Sequence, residues 1–435
     1  MSQYFHSVTL DKDKCKGCTN CIKRCPTEAI RVQNGKAKII KERCIDCGEC
    51  IRICPYHAKK AITDPFEKIF EYKYKIALPA PTLYGQFNNT SDINTILTGL
   101  IKLGFDAVFE VARAAEIVSL ASKKYIQTAN IDTPAISSAC PAVIRLIGVR
   151  FPNLIKNILP IQSPMEVAAR IAKKETSEKM GLDFKEIGVF FISPCAAKVT
   201  STKSPVGIKG SFVDGVISLK EIYLKLAPMI HKINQPMNLA TAGMKGIIWA
   251  NTGGEAMAVG KENCIAVDGI HNVIQVLEAM EDEKLQDIEY AELLSCTGGC
   301  VGGPLVVENN FVAKARIKQI ALKNCREDNE KNNDYLDKID VLWDHPITYK
   351  PIMKLDNNMV EAMKKMEMLD NIYKQLPGLD CGSCGSPSCK TLAEDIVRGF
   401  ANETDCIFKL REKVRILAKE MIDLESKMPP SFQKE

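Results

Sequence analysis

Sixteen of the eighteen cysteines in the 435-residue chain fall into groups whose spacing suits metal clusters. Cys15, Cys18, Cys21 and Cys25-Pro26 follow C-x2-C-x2-C-x3-C-P, and Cys44, Cys47, Cys50 and Cys54-Pro55 repeat it. Three thiolates in one tight loop can cover three irons of a 4Fe–4S cubane, while the fourth reaches a second cubane. The doubled pattern therefore groups Cys15, Cys18 and Cys21 with Cys54, and Cys44, Cys47 and Cys50 with Cys25. Zinc and disulfides are the other uses of cysteine, and eight in this repeated spacing argue against both. Two neighbouring cubanes are an electron wire. A dispersed group follows: Cys140 in SSACP, Cys195 in SPCAAK, and Cys296 and Cys300 in ELLSCTGGCVGGP. Four thiolates suffice for one more cubane. Pro141 and Pro194 stiffen two of these loops; Gly298, Gly299, Gly302 and Gly303 would let backbone approach a bulky inorganic ligand. The last group, Cys381, Cys384, Cys389 and Cys406, has the spacing C-x2-C-x4-C-x16-C, open to a 4Fe–4S cluster or to zinc. Cys264 and Cys325 stand apart, and Cys264, in apolar NCIAVDGI, reads as core packing. His57, His231 and His271 have no ligand-like neighbours in sequence and read as structural.

The elements that must hold these groups divide the chain into five segments. Residues 1–70 contain the repeated cysteine unit and read as a pseudo-twofold α+β dicluster ferredoxin domain. Residues 71–330 read as α/β, with apolar strand-like runs (YKIALPA, DAVFEV, IGVFFIS, GIIWANTGG, NCIAVDGI) between longer helical stretches. Residues 331–368 read as linker, introduced by the charged stretch REDNEKNNDYLDK. Residues 369–406 form a small helical cluster domain, and 407–435 a helix and tail. Ile407, Leu410, Val414, Leu417, Met421, Leu424 and Met428 are spaced alternately three and four apart. With Ile and Val at a and Leu at d, this seam suits a parallel homodimer through 407–428, or else a helix docked on its own domain.

The formal charge of +5 counts every cysteine as neutral. A 4Fe–4S core held by four thiolates carries about −2, so four of them reverse the sign. Basicity thus gives no case for nucleic acid. Residues 1–70 carry 14 Lys and Arg against 8 Asp and Glu, a surface that could dock an acidic electron carrier or simply be solvated. No apolar run approaches the ~18 residues of a membrane span, and no apolar leader precedes Cys15. Closely spaced cysteines then point to metal binding in the cytoplasm.

The motifs SSACP, SPCAAK and ELLSCTGGCVGGP resemble, in order and spacing, the three H-cluster motifs of FeFe hydrogenases (T-S-C-C-P, M-P-C-x-x-K, E-x-M-A-C-P-G-G-C-x-x-G-G). ANTGGEAM (250–257) and QSPMEV (162–167) resemble that domain's minor motifs. The resemblance implies an iron hydrogenase large-subunit-like domain in which Cys140, Cys195, Cys296 and Cys300 bind a cubane. Cys300 would also bridge to a diiron subsite carrying CO, cyanide and azadithiolate. Lys198 would hydrogen-bond one cyanide. The C-terminal cysteines resemble the 4Fe–4S domain that accompanies sensory hydrogenases. Ala139 stands where the family has a proton-relaying cysteine, and Ala121 and Ser122 where it has relay glutamates. Ser193 and Leu294 replace two methionines, and Ser193 joins Cys300 and Lys198 as a catalytic candidate. The resemblance thus implies a slow hydrogenase (H2 = 2H+ + 2e−) of the sensory type. Its partners would be H2, a ferredoxin-like carrier and the H-cluster maturation enzymes. The alternative is an iron–sulfur carrier, assembly or electron-transfer protein without a diiron site.

Overall fold

A computed structural model describes residues 5–88, 92–129, 131–324, 329–352 and 354–428, without the side chains of 329–331. Cys325 lies outside the described residues. The chain forms two compact units. One comprises the residues up to Thr9, Cys44–Arg52 and Lys60–Lys350; the other comprises Leu10–Arg43, Ile53–Lys59 and the chain from Pro351. The cut passes between the two cysteine loops that the sequence groups in residues 1–70.

Among the described residues, seven strands lying wholly in the larger unit are β1 (Tyr74–Pro79), β2 (Ala107–Val108), β3 (Ala135–Ile136), β4 (Ile187–Ser193), β5 (Gly215–Ser218), β6 (Cys264–Asp268) and β7 (Tyr290–Leu294). They make two parallel sheets, ordered β2-β1-β4-β5 and β6-β7-β3. Every residue of β4, IGVFFIS, is buried, as expected of a parallel strand covered on both faces. Its register pairs Tyr74 with Ile187 on one side and Ser193 with Ser218 on the other. The covering helices include α1 (Val111–Thr128), α2 (Pro141–Arg150), α3 (Pro164–Met180), α4 (Ala196–Lys203), α5 (Gly254–Val259) and α6 (Ile270–Glu281). Pro141 and Pro164 begin their helices, where a missing N–H costs nothing.

Three expectations change in this unit. GIIWANTGG is not a strand: Met244–Ile248 is a helix, and Gly253, at φ +84°, turns the chain into α5. Gly246 is packed so that a Cβ would lie 2.1 Å from the Ala112 carbonyl, a helix-on-helix approach that only glycine permits. DAVFEV is a strand only at Ala107–Val108, since Val111 already opens α1. Of the charged stretch before 339, residues 326–328 lie outside the described residues and the rest is not solvated linker but helix α7 (Asn329–Lys338). Asn332 is buried there against Glu116, and Ile339 and Val341 enter the core.

In the smaller unit, Ile30–Gln33 and Lys36–Ile39 form a hairpin. Helices α8 (Met359–Gln375) and α9 (Cys389–Val397) pack together, and α10 (Ile407–Ser426) follows. Helix α10 buries none of its residues, so the reading of a docked helix is overturned. Its seam is open along its length, from Leu410 at 46% exposed to Met421 at 70%.

Candidate metal centre

The four dispersed cysteines follow the carboxyl ends of parallel strands, where such sheets bind ligands. Cys140 follows β3 and caps α2, Cys195 follows β4 and caps α4, and Cys296 and Cys300 follow β7. Their sulfurs act on one another. Burial pushes the Cys195 thiol up to about 12, and Cys296 and Cys140 add to it. Burial likewise pushes Cys300 up to about 11, with Cys296 and Cys140 again adding. Lys198 opposes both shifts. Buried thiols that cannot ionise together are suited to a polycationic core that replaces their protons. Lys198 lies in the first turn of α4, 7% exposed, its Nζ 5.6 Å from the centre of the Phe191 ring. Among the described residues no carboxylate pairs with it. A buried cation with no carboxylate in contact, its charge reaching Glu255 at longer range, is suited to an anionic ligand. The donor set and this cation therefore fit a cluster bearing anionic ligands.

Other site residues have more local duties. The Ser193 hydroxyl is turned onto the backbone of Cys195, accepting from its N–H and donating to its C=O, both at 3.1 Å. It shapes the Cys195 turn. Two of the motif glycines serve close packing of protein on protein: a Cβ at Gly302 would lie 2.1 Å from the Thr297 carbonyl, and one at Gly303 2.2 Å from that of Pro194. Ala139, Ala121, Ser122 and Leu294 are all buried. Cys264 is half-buried against the core, and His57, His231 and His271 are exposed.

Sequence reasoning missed three features here. Glu255 and Glu292 are buried side by side, and burial raises both carboxyls, Glu255 further through the charge of Glu292. Ser137 Oγ donates to Glu255 at 2.7 Å, and Oγ accepts from the Ala139 N–H at 3.2 Å. Glu292 accepts from Gly253 and Ala256 N–H. Both glutamates lie inside the quoted motifs, which was the available signal. Arg52, two residues after Cys50, donates to the Cys296 sulfur at 3.5 Å. His6 Nδ1 lies 2.9 Å from Asp46 Oδ2, and Cys44 Sγ donates to Asp46 Oδ1 at 3.9 Å.

In the smaller unit, backbone N–H groups of Ala37, Ala29 and Ala58 point at the sulfurs of Cys15, Cys25 and Cys54, at 3.4, 3.2 and 3.3 Å. Burial pushes Cys21 up to about 11, with Cys18 and Cys15 adding and Lys59 opposing. Cys384 is raised by burial, with Cys381 and Cys406 adding. Cys389 is buried at the start of α9, and Cys406 is buried as the cap of α10.

Residues 73–304, more than half of the chain, match the family model described as the iron-only hydrogenase large subunit, C-terminal domain. The chain belongs to the iron-only hydrogenase family. A 4Fe–4S dicluster model matches residues 7–55, and an Fe–S cluster model matches 376–408. This hydrogenase-family chain is 30% identical to the periplasmic Fe hydrogenase large subunit of Nitratidesulfovibrio vulgaris over 212 residues, 44% of this chain and 50% of that protein. It is 25% identical to iron hydrogenase 1 of Clostridium pasteurianum over 393 residues, 72% of this chain and 67% of that protein. It thus spans half to two thirds of these relatives' lengths. Among solved structures, a variant of FeFe-hydrogenase HydA1 from Chlamydomonas reinhardtii is 15% identical, covering 66% of this chain and 97% of that one at a TM-score of 0.47. No described helix is long and apolar enough to cross a membrane.

Proposed function

We propose that this chain is a slow, cytoplasmic FeFe hydrogenase of the sensory type, reacting reversibly with H2 and passing electrons along 4Fe–4S clusters. Cys140, Cys195, Cys296 and Cys300 would hold the cubane of an H-cluster, with Cys300 the ligand expected next to its diiron subsite. When bound, that group supplies the splitting of H2 into two protons and two electrons. The observation that carries this reading is the buried Lys198, with no carboxylate in contact, beside four cysteines whose sulfurs influence one another. Lys198 would hold an anionic cyanide of the subsite. Ser193 holds the Cys195 loop in place.

The protein's own residues also support slow turnover. Ala139 has no titratable atom to hand on a proton. Glu255 has one, and its link through Ser137 to the backbone of Ala139 puts it beside the gap. A carboxyl with a raised pKa exchanges protons near neutrality and is the best remaining acid–base group in the site. Slow chemistry suits reporting H2 rather than consuming it. The exposed seam of α10 suits a second copy of the chain. The expected partners are an electron carrier of the ferredoxin kind and the maturation enzymes that build the subsite.

An infrared spectrum of anaerobic protein made with those maturation enzymes, under argon and then H2, tests the reading. Sharp CO and cyanide bands that shift under H2 are expected. Their absence from a protein with loaded cubanes would overturn it and leave an iron–sulfur carrier or electron-transfer protein.

A further inference from the structure

The C-terminal module and the first ferredoxin loop lie within the same compact unit, and the contacts between them are charged and complementary. Arg31, on the ferredoxin hairpin, forms a two-point ion pair with Asp395 of α9, its Nη2 3.1 Å from Oδ1. Arg43 pairs with Glu394 on the same helix. All four side chains are at most 10% exposed. The polarity reverses at Glu28, whose carboxylate accepts from Ser388 Oγ at 3.0 Å and Thr391 Oγ1 at 2.7 Å. The backbones also bond, Val32 N–H donating to the Gly385 carbonyl at 2.8 Å. Gly385 has φ +85°, and a Cβ there would lie 1.9 Å from the Val32 carbonyl. No other residue fits this approach.

These contacts bring two ligand loops together. A Cβ on Gly382, next to Cys381, would lie 3.3 Å from Ile22 Cδ1 and 3.2 Å from Lys23 Cε. Ile22 is next to Cys21. The two loops thus approach so closely that a side chain on Gly382 would touch Ile22 and Lys23. Removing a charge from either buried pair would leave its partner stranded, so the docking is held firmly.

We propose that the C-terminal cluster is a station on the electron wire, exchanging electrons directly with the cubane of Cys15, Cys18, Cys21 and Cys54. This rests on the reading that both cysteine sets hold 4Fe–4S clusters. One electron moves: the ferredoxin cubane goes from the 1+ to the 2+ core state, and the C-terminal cluster from 2+ to 1+. No bond is broken and no proton is needed. Electrons from H2 then reach a cluster whose ligand Cys406 caps the exposed helix α10.

The test is electron paramagnetic resonance of the fully reduced holoprotein, compared with two variants. Cys389→Ser removes the C-terminal cluster; Glu394→Gln with Asp395→Asn loosens the docking. The wild type is expected to show splitting or fast relaxation from spins on adjacent clusters. Cys389→Ser should lose that component, and the double variant should lose it with its iron content unchanged. A wild-type spectrum equal to that of Cys389→Ser plus one isolated, slowly relaxing cluster signal would overturn the proposal, and this comparison stands even if the double variant does not fold. Iron content tests the underlying reading separately: wild-type protein that holds no more iron than Cys389→Ser would mean that the C-terminal cluster is absent.

Discussion

Arg52 donates one guanidinium nitrogen both to the sulfur of Cys296, at 3.5 Å, and to the carbonyl of Gly302, at 2.8 Å. Glu49 holds the other nitrogen. The arginine comes from the second ferredoxin loop and the sulfur from the central site, so a covalent path of two residues plus one hydrogen bond runs from Cys50 to Cys296.

A cationic donor on a ligand sulfur favours the more negative, reduced cluster. Arg52→Gln should therefore lower the midpoint potential of the central cubane. A loss on the order of 1.4 kcal/mol corresponds to ~59 mV for one electron. Arg52→Lys, which keeps the charge, should recover part of the shift. Spectroelectrochemical titration measures it, and an unchanged potential in both variants would show that the contact has no electronic role.

Stability should fall with pH because of Glu255. Burial and Glu292 raise its folded pKa above the ordinary carboxylate range, so the folded state holds a proton that the unfolded chain releases. Its favourable contribution is complete below the unfolded value of ~4.3 and is lost as pH rises through the folded value, above neutrality. Glu255→Gln should flatten the decline in denaturant midpoint between the unfolded value of ~4.3 and the folded value of about 8, the span in which only the unfolded chain has released the proton. Equal slopes for wild type and variant would contradict the assignment.

Restoring a thiol at position 139 should quicken proton transfer. Ala139→Cys is expected to raise H2-dependent dye reduction by about 100-fold, the usual scale for a positioned acid–base group. A rate that does not change while the infrared bands show an assembled site would mean that proton delivery is not limiting.

Helix α10 supplies a fourth prediction. The intact chain should sediment as a dimer and a chain lacking 407–435 as a monomer. A parallel pair sets Glu420, at g, against Glu425 of the partner subunit, at e. Glu420→Lys should tighten a parallel dimer by a few tenths of a kcal/mol. Weaker association on that change would point to antiparallel packing.

What could be read from the sequence depended on whether the signal was local. The cysteine loops are local, because cluster geometry dictates their spacing within a few residues. Strand β4 was legible because IGVFFIS is an unbroken apolar run up to Ser193, and α10 because its seam holds a strict repeat. GIIWANTGG is as apolar as a strand, yet its helix depends on Gly246 meeting Ala112, more than a hundred residues away. The 329–338 helix was hidden by its charges, since its buried Asn332 is matched only by Glu116 of another helix. The Glu255–Glu292 pair and the Arg52–Cys296 bond likewise join residues that only the fold makes neighbours.

The cysteines of the central site hang from both parallel sheets, Cys195 from one and Cys140, Cys296 and Cys300 from the other. A cluster held by all four would be an inorganic cross-link between separate sheets, closing loops of many tens of residues. Such a link restricts the unfolded chain as a disulfide does, but it is far more easily destroyed by oxidants. Oxidative damage would then remove catalysis and a structural tie in one event. The damaged chain would open more readily and be cleared by proteases sooner than its intact neighbours.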